Sequence, residues 1–414
     1  MMKTIPGGVC AAAGFAANGV HCGIRVGHDA RDLALIVSTS EKPASAAAVY
    51  TTNKVKGAPL IVTAEHIADG GARAIICNSG NANTCNADGY DIAQKMSEIA
   101  AAELGFSAKD IVVASTGVIG QPLCVDPIAK AMPALASGLQ ASEEGSTAAE
   151  QGIMTTDTVE KQFAVSFELP SIDGSQVVCH VGGIAKGSGM IHPNMATMLV
   201  FITTDVAIDA ELLHEVLVGD VQDSFNMVSV DGDTSTNDMV VVLANGEAGN
   251  APIMEASPAL DIFKEALAHV TQALCRMIAH DGEGATRLLT SMVSGAREKD
   301  IARTVAKAII CSSLVKAAFF GADANWGRIL CAIGYCGAEV DIDKVDVDLE
   351  STKGRIAVCR DGSGVPFDED IAKEILLEDE IDIIVNLKDG DGTATAWGCD
   401  LTYDYVKING DYRT

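Results

Sequence analysis

Along this chain, short runs of β-branched and aliphatic residues alternate with longer stretches in which apolar positions recur every three to four residues, the pattern of strands feeding helices. RAIICN at 73–78 reads as a strand leading to the helical pattern DIAQKMSEIAAAEL at 91–104, and IVVAS at 111–115 precedes a helix over 126–137. A strand is expected to begin at Thr197 with TMLVFITTD, followed by the helical pattern ELLHEVLVGDVQDSF. PALDIFKEALAHVTQALCRMIAH, 258–280, carries the longest unbroken helical period. Strands at 353–359, 381–387 and 393–404, then a polar tail ending at Thr414, predict a β-rich C-terminal segment. Polar tails of this kind are usually mobile. The one linker-like stretch is Gln140 to Gly152, rich in Ala, Ser, Glu and Gly. The expected fold class is therefore α/β, a layered sandwich of β-sheets and helices.

A chain of 414 residues with 48% hydrophobic and 21% charged positions can bury a large core, which excludes disorder. Its net charge of -27 excludes a basic nucleic-acid surface, because a phosphate backbone would meet a repulsive field. The acidity is uneven: 12 bases and 18 acids precede Thr197, whereas 17 bases and 38 acids follow it. Solvated surface accounts for that excess, and small zwitterionic substrates tolerate it. Pro6, Gly7 and Gly8 interrupt the N-terminal stretch, so no signal peptide is read, and no window reaches the ~18 apolar residues of a membrane span. No membrane partner is expected, and the cytoplasm is the expected location. Twelve scattered cysteines without a CxxC pair read as reduced, mostly buried thiols. The eight histidines form no HxxxH or HxH cluster, so no metal is expected.

Chemistry concentrates in GGIAKGSGMIHPNMATMLVFITTD, from Gly182 to Asp205, where four glycines and Pro193 precede the strand expected at Thr197. Such a sequence suits a strained, exposed turn that presents one peptide bond to a neighbouring hydroxyl. The Thr197 hydroxyl can attack the Ala196 carbonyl; an N-to-O acyl shift and hydrolysis would then free a Thr197 α-amine. That amine, with a reference pKa of about 7.7 to 8.0, is a suitable general base for its own Oγ. Considered alone, Thr197 would simply open a buried strand. GGIAKGSG lacks the GxxxxGK[ST] spacing, so a phosphate loop is excluded, and STGVIG at 115–120 lacks the GxGxxG register.

KGSGMIHPNMATML resembles the self-cleavage motif of the ornithine acetyltransferase family, the bifunctional proteins of arginine biosynthesis. The resemblance continues in order through NSGNANTC at 78–85, STGVIG at 115–120, TTDT at 155–158, DGEGAT at 281–286, GADANWGR at 321–328 and the terminal YVKINGDYRT. It spans nearly the whole chain and implies the layered fold shared with self-cleaving aminopeptidases.

The resemblance implies a cut between Ala196 and Thr197, giving an α fragment, 1–196, and a β fragment, 197–414, assembled as two of each. It implies Thr197 as nucleophile and Thr116 and Gly117 as oxyanion donors. Thr155, Lys186, Thr197, Glu283, Asn409 and Thr414 would bind substrate. Lys186 suits an α-carboxylate and Glu283 a distal ammonium. The implied reaction takes acetyl from N2-acetyl-L-ornithine to L-glutamate through acetyl-Thr197. No resident cofactor is expected; acetyl-CoA enters only as a second donor substrate in the bifunctional form. Two alternatives stay open: a related self-cleaving aminopeptidase or amidohydrolase, in which water takes the acyl group, and a non-enzymatic binding protein that kept the fold. Glutamate carries a γ-carboxylate where ornithine carries an ammonium, so Glu283 would oppose it in an identical pose.

Overall fold

The computed structural model describes residues 2–25, 27, 29–192 and 198–411. Their strands form three sheets. The first runs in the order Lys3–Ile5, Gln162–Pro170, Gln176–Lys186, Leu199–Thr204, Met239–Ala244, Ala44–Tyr50 and Gly71–Ala72. The second runs Val228–Ser229, Gly392–Cys399, Leu288–Ala296, Glu380–Asn386, Asp346–Ser351, Gly354–Arg360 and Ser363–Gly364. The third has four strands, Phe15–Val20, Leu33–Ser38, Ala74–Asn78 and Ile111–Ser115.

Strand alternation explains the layering. In Leu33–Ser38, Leu33, Leu35 and Val37 point into one core, with the helices Ala58–His66, Gly89–Leu104 and Asp126–Ser137. Ala34 and Ile36 point the other way, into a core shared with Phe201, Val241 and Leu243 of the first sheet. A strand buried on both faces reads as a continuous apolar run, as LALIV does here. The opposite face of the first sheet, through Val200, Ile202, Val240 and Val242, joins the largest core, which extends to the second sheet. The helix Pro258–His280 packs against strands of both sheets and buries Leu260, Phe263, Leu267, Val270, Leu274 and Ile278 at helical spacing. Its Ser257 hydroxyl accepts from the Leu260 N–H, and Pro258 occupies the first turn, so its start is fixed locally.

The α/β expectation holds, with three corrections. The 140–152 stretch is no linker: Glu143–Ile153 is a helix capped by Ser142, and it buries Ala148, Ala149 and Glu150. Its small residues, which look like linker composition, permit close packing on the Phe15–Val20 strand, where a side chain at Gly19 would meet the Ala148 carbonyl. The C-terminal strand stops at Cys399, and Tyr403–Asp411 is helical rather than an extended or mobile tail. The strand after the proposed junction begins at Leu199. Ala196, Thr197 and Thr414 lie outside the described residues. Of the twelve free cysteines five are buried and three exposed, fewer buried than expected.

Glu150 carries a testable consequence of this packing. Its side chain is buried; one carboxyl oxygen accepts the Lys161 backbone N–H, and Oε2 has no partner among the described residues. Burial outweighs the nearby Lys161 charge and pushes its pKa from the ordinary 4.5 up to about 9. The folded-state value lies above the unfolded one, so Glu150's contribution to stability is fully present below the unfolded value and is lost as pH rises towards the folded value. Glu150→Gln should flatten the fall of the urea midpoint between pH 5 and 9 and equal or exceed the wild type at pH 8; parallel curves for the two proteins would contradict this.

Candidate functional site

Two loops meet at the carboxyl ends of the parallel strands Ala74–Asn78 and Ile111–Ser115, where open α/β sheets place ligands. Asn78 organises the first loop: its Oδ1 accepts the Gly80 and Asn81 N–H groups at 3.2 and 3.0 Å, and its Nδ2 donates to Ser115 Oγ at 2.7 Å. The Thr116 N–H donates to the Asn78 carbonyl at 2.9 Å, which fixes the start of the second loop. Gly117 has φ 119°, and a Cβ there would lie 2.6 Å from the Gly80 carbonyl carbon, so only glycine lets the loops approach. Among the described residues, no acceptor takes the Gly117 N–H or the Thr116 hydroxyl.

Asn237 clamps this pair from a third element. Its Nδ2 donates to the Ala82 and Ser115 carbonyls at 2.6 and 2.9 Å, and its Oδ1 accepts from the Thr84 and Thr236 hydroxyls, each at 2.6 Å. All four polar capacities of a buried amide are thus engaged, which holds the 78–85 and 115–120 loops against the strand that starts at Met239.

The other wall depends on a buried charge cluster. Lys161 Nζ donates to Asp157 Oδ1 at 2.8 Å and to Asp281 Oδ2 at 2.5 Å, and all three side chains are almost fully buried. Asp157 also accepts the Thr155 N–H at 2.9 Å and the Gly187 N–H at 2.7 Å, so it sets the positions of Thr155 and, one residue before Gly187, Lys186. Burial alone would raise the Asp157 carboxyl. The Lys186 and Lys161 charges and the two N–H and ammonium donors reverse that and hold it well below the usual carboxylate range. Asp281 takes the Thr158 N–H and hydroxyl. Two residues on, the Glu283 N–H donates to the Ser188 carbonyl at 2.9 Å, and Ser188 Oγ lies 2.9 Å from Thr156 Oγ1. The carboxylate of Glu283 sits over Gly189, where any Cβ would fall 2.3 Å from it.

The C-terminal helix completes the wall. Asn409 Nδ2 donates to Glu283 Oε2 at 2.8 Å; Tyr405 OH reaches Asp231 Oδ2 at 3.3 Å, and Thr402 Oγ1 donates to the Gly284 carbonyl at 2.6 Å. Asp231 in turn accepts the Met190 and Ile191 N–H groups at 2.7 and 2.9 Å, at a point where Met190 holds φ 53°. The approach to the proposed junction, up to His192, is therefore anchored and largely buried, and Gly182 and Gly183 lie within a strand; the peptide bond expected in an exposed turn lies outside the described residues.

One cavity of about 100 Å³ is lined by Thr116, Gly117, Thr155, Lys186, Glu283 and Asn409, the six sequence-predicted site residues that are described. Met198, the residue after Thr197, also lines it. Block 321–328 does not: Asn325 caps the helix Trp326–Gly334, a structural role. Asp157, Lys161, Asp281, Asn237 and Asp238 were missed as site residues. Asp157 and Asp281 lay within quoted motifs, whereas a buried lysine leaves no local signal. Among the described residues no group of three or more His, Cys, Asp or Glu side chains is disposed to hold a metal ion, and no helix is long and apolar enough to cross a membrane.

Removing Lys161 would strand two buried carboxylates. Lys161→Met should cost about 3 to 5 kcal/mol in urea unfolding at pH 7. A loss under about 1 kcal/mol, the level of a surface pair, would show that the cluster holds nothing together.

The ArgJ family matches residues 16–414. The arginine biosynthesis bifunctional protein ArgJ of Caldanaerobacter subterraneus subsp. tengcongensis is 49% identical over 414 residues, covering 100% of both chains. ArgJ 1 of Clostridium acetobutylicum, named in the same way, is 50% identical over 401 residues, 97% of this chain and 96% of its own. The crystal structure of the arginine biosynthesis bifunctional protein from Bacillus halodurans aligns with 51% of this chain and 98% of its own, at 47% identity and a TM-score of 0.49. With a family match over nearly its whole length and full-length relatives near 50% identity, the chain belongs to the ArgJ family.

Proposed function

We propose that this chain is an acetyltransferase of arginine biosynthesis that moves acetyl from N2-acetyl-L-ornithine to L-glutamate through Thr197. The observation that carries the reading is the single cavity shared by Thr116, Gly117, Thr155, Lys186, Glu283 and Asn409 beside Met198. Family membership supports acetyl transfer over the aminopeptidase alternative.

In the first half-reaction the Thr197 α-amine takes the Oγ proton, Oγ bonds to the acetyl carbon, and the carbonyl oxygen becomes an oxyanion. The Gly117 N–H and Thr116 hydroxyl, which have no acceptor among the described residues, are suited to receive that charge. Collapse breaks the C–N bond, ornithine leaves with the proton on its nitrogen, and acetyl-Thr197 remains. Glutamate then attacks the ester, and the same steps run in reverse. Lys186 would meet the α-carboxylate common to both substrates. Glu283 and Asn409, bonded to each other at 2.8 Å, would meet the distal group. Thr414 is proposed as a further contact from the tail. Acetyl-CoA as a second donor, location in the cytoplasm and assembly from two α and two β fragments complete the proposal.

The first sheet supports persistence after a cut, because Leu199–Thr204 pairs antiparallel with Gln176–Lys186 from the other side of the junction. Purified protein should separate on a denaturing gel into fragments of 196 and 218 residues, the second starting at Thr197. Thr197→Ala should stay whole and inactive, and uncut, active wild type would sink the mechanism. N-acetylornithine alone should add one acetyl mass to the 218-residue fragment; glutamate, rather than water, should remove it.

Thr116→Ala should lower kcat about 100- to 1000-fold while KM changes little, since an oxyanion donor acts in the transition state. A change confined to KM would reassign Thr116 to substrate binding.

A further inference from the structure

Asp238 is a buried carboxylic acid on the wall of the active cavity, and its Oδ2 has no hydrogen-bond partner among the described residues. Leaving a carboxyl oxygen unsatisfied in the interior is costly, so such a group is expected to have a task. Its place is set by the sheet. Leu199 and Met239 are register partners in the parallel pair, and the Met239 N–H donates to the Met198 carbonyl at 2.9 Å. Asp238 therefore adjoins Met198, the residue bonded to the nucleophile. The Asp238 carbonyl accepts the Thr51 N–H at 3.0 Å, which holds the backbone from the neighbouring strand. Among the described residues, the Lys186 charge acts on this carboxyl, Glu283 shares the cavity wall, and Tyr50 is the register partner of the next residue, Met239.

The reaction needs a second proton site. The α-amine of Thr197 takes one proton from Oγ and returns it to the leaving nitrogen, which yields neutral ornithine amine. At neutral pH that amine binds another proton, and glutamate arrives as an ammonium that must shed one before it attacks. We propose that Asp238 is the proton carrier linking the two half-reactions, giving its proton to the departing ornithine amine and taking one from the entering glutamate ammonium. The steps balance. Acetylornithine, Thr197 hydroxyl and Asp238 acid become acetyl-Thr197, ornithine ammonium and Asp238 carboxylate. Acetyl-Thr197, glutamate ammonium and Asp238 carboxylate then become N-acetylglutamate, Thr197 hydroxyl and Asp238 acid.

The environment suits both forms. Burial outweighs the Ser235 hydroxyl, the Lys186 charge and the Thr51 hydroxyl, and holds the carboxyl well above the usual carboxylate range, the direction that favours the protonated resting form. Lys186 stands ready to stabilise the carboxylate present while Thr197 is acetylated. Glu283 is less suited, since its Oε2 is occupied by Asn409.

The inference rests on the acetyl-transfer reading, and the test separates the two. Asp238→Asn keeps the size and polarity of the side chain but cannot exchange a proton. Rapid-quench mass spectrometry would follow acetylation by N-acetylornithine and deacetylation by glutamate from pH 5 to 9. Both variant rates should fall about 100-fold or more, with little change in KM and with loss of one ionisation seen in the wild type. Wild-type rates and an unchanged pH profile in the variant would overturn the role of Asp238 and leave the function standing. Wild type that never becomes acetylated would overturn both. Should the variant not fold, infrared difference spectra of the wild type decide. The carbonyl stretch of one protonated acid should vanish on acetylation and return with glutamate, and its constancy would refute the proposal.

Discussion

The ammonium of Lys161, placed between the carboxylates of Asp157 and Asp281, is the interaction on which the site depends. The three groups come from different parts of the chain, and each carboxylate also fixes backbone: Asp157 holds Thr155 and Gly187, and Asp281 holds Thr158. A buried ion pair is weak support for stability when compared with a well-packed apolar pair, because desolvation offsets most of the attraction. Its value here is positional. The carboxylates place three cavity-lining side chains, Thr155, Lys186 and Glu283, relative to one another, and loops alone would not hold them within the tolerance that a catalytic site requires.

The sheet across the proposed junction adds a second constraint. Gln176–Lys186 and Leu199–Thr204 are register partners over six residues, and Met239–Ala244 pairs on one side with Leu199–Thr204 and on the other with Ala44–Tyr50. Residues from both sides of position 197 thus share one hydrogen-bonded layer and both of its cores. Hydrolysis of one peptide bond at the end of this pairing would release a terminus without separating the layers. Self-processing at the proposed junction would then be compatible with catalysis, because the strands on either side carry the structure.

Sequence periodicity found elements whose burial is simple. IVVAS and the 258–280 helix match Ile111–Ser115 and Pro258–His280, because a fully buried strand and a one-sided helix each impose a clear pattern. It failed where close backbone approach replaced apolar patterning. Ala148, Ala149 and Gly152 are small because a strand lies against them, and that composition also describes a linker. The tail helix carries no buried residue and is placed by Tyr405, Thr402 and Asn409 contacts, which no apolar period announces. The six residues brought together in one cavity had been nominated by ordered motifs. The groups that position them were not, because the partner of Lys161 at Asp281 is 120 residues away and nothing local marks either as buried.

The proposed site also suggests how two amino acids with opposite side-chain charges share one pocket. Both present an α-carboxylate and a reacting nitrogen, and in the proposed pose the buried part of the cavity, around Lys186 and Asp238, would face what they have in common. They differ at the distal end, which the proposal sets against Glu283, only half buried, and Asn409, exposed. A charge at 4 Å from a like charge costs roughly 4 kcal/mol at an effective dielectric near 20 but about 1 kcal/mol in water. Discrimination at a wetted rim is therefore shallow, whereas recognition at the buried end is steep. Asn409 adds a donor that can serve Glu283 or an incoming carboxylate, so its amide gives the rim an option the carboxylate alone lacks. An enzyme that must release one amino acid and accept another at the same nucleophile gains from this division, because the shared atoms are held firmly and the unshared ones only loosely.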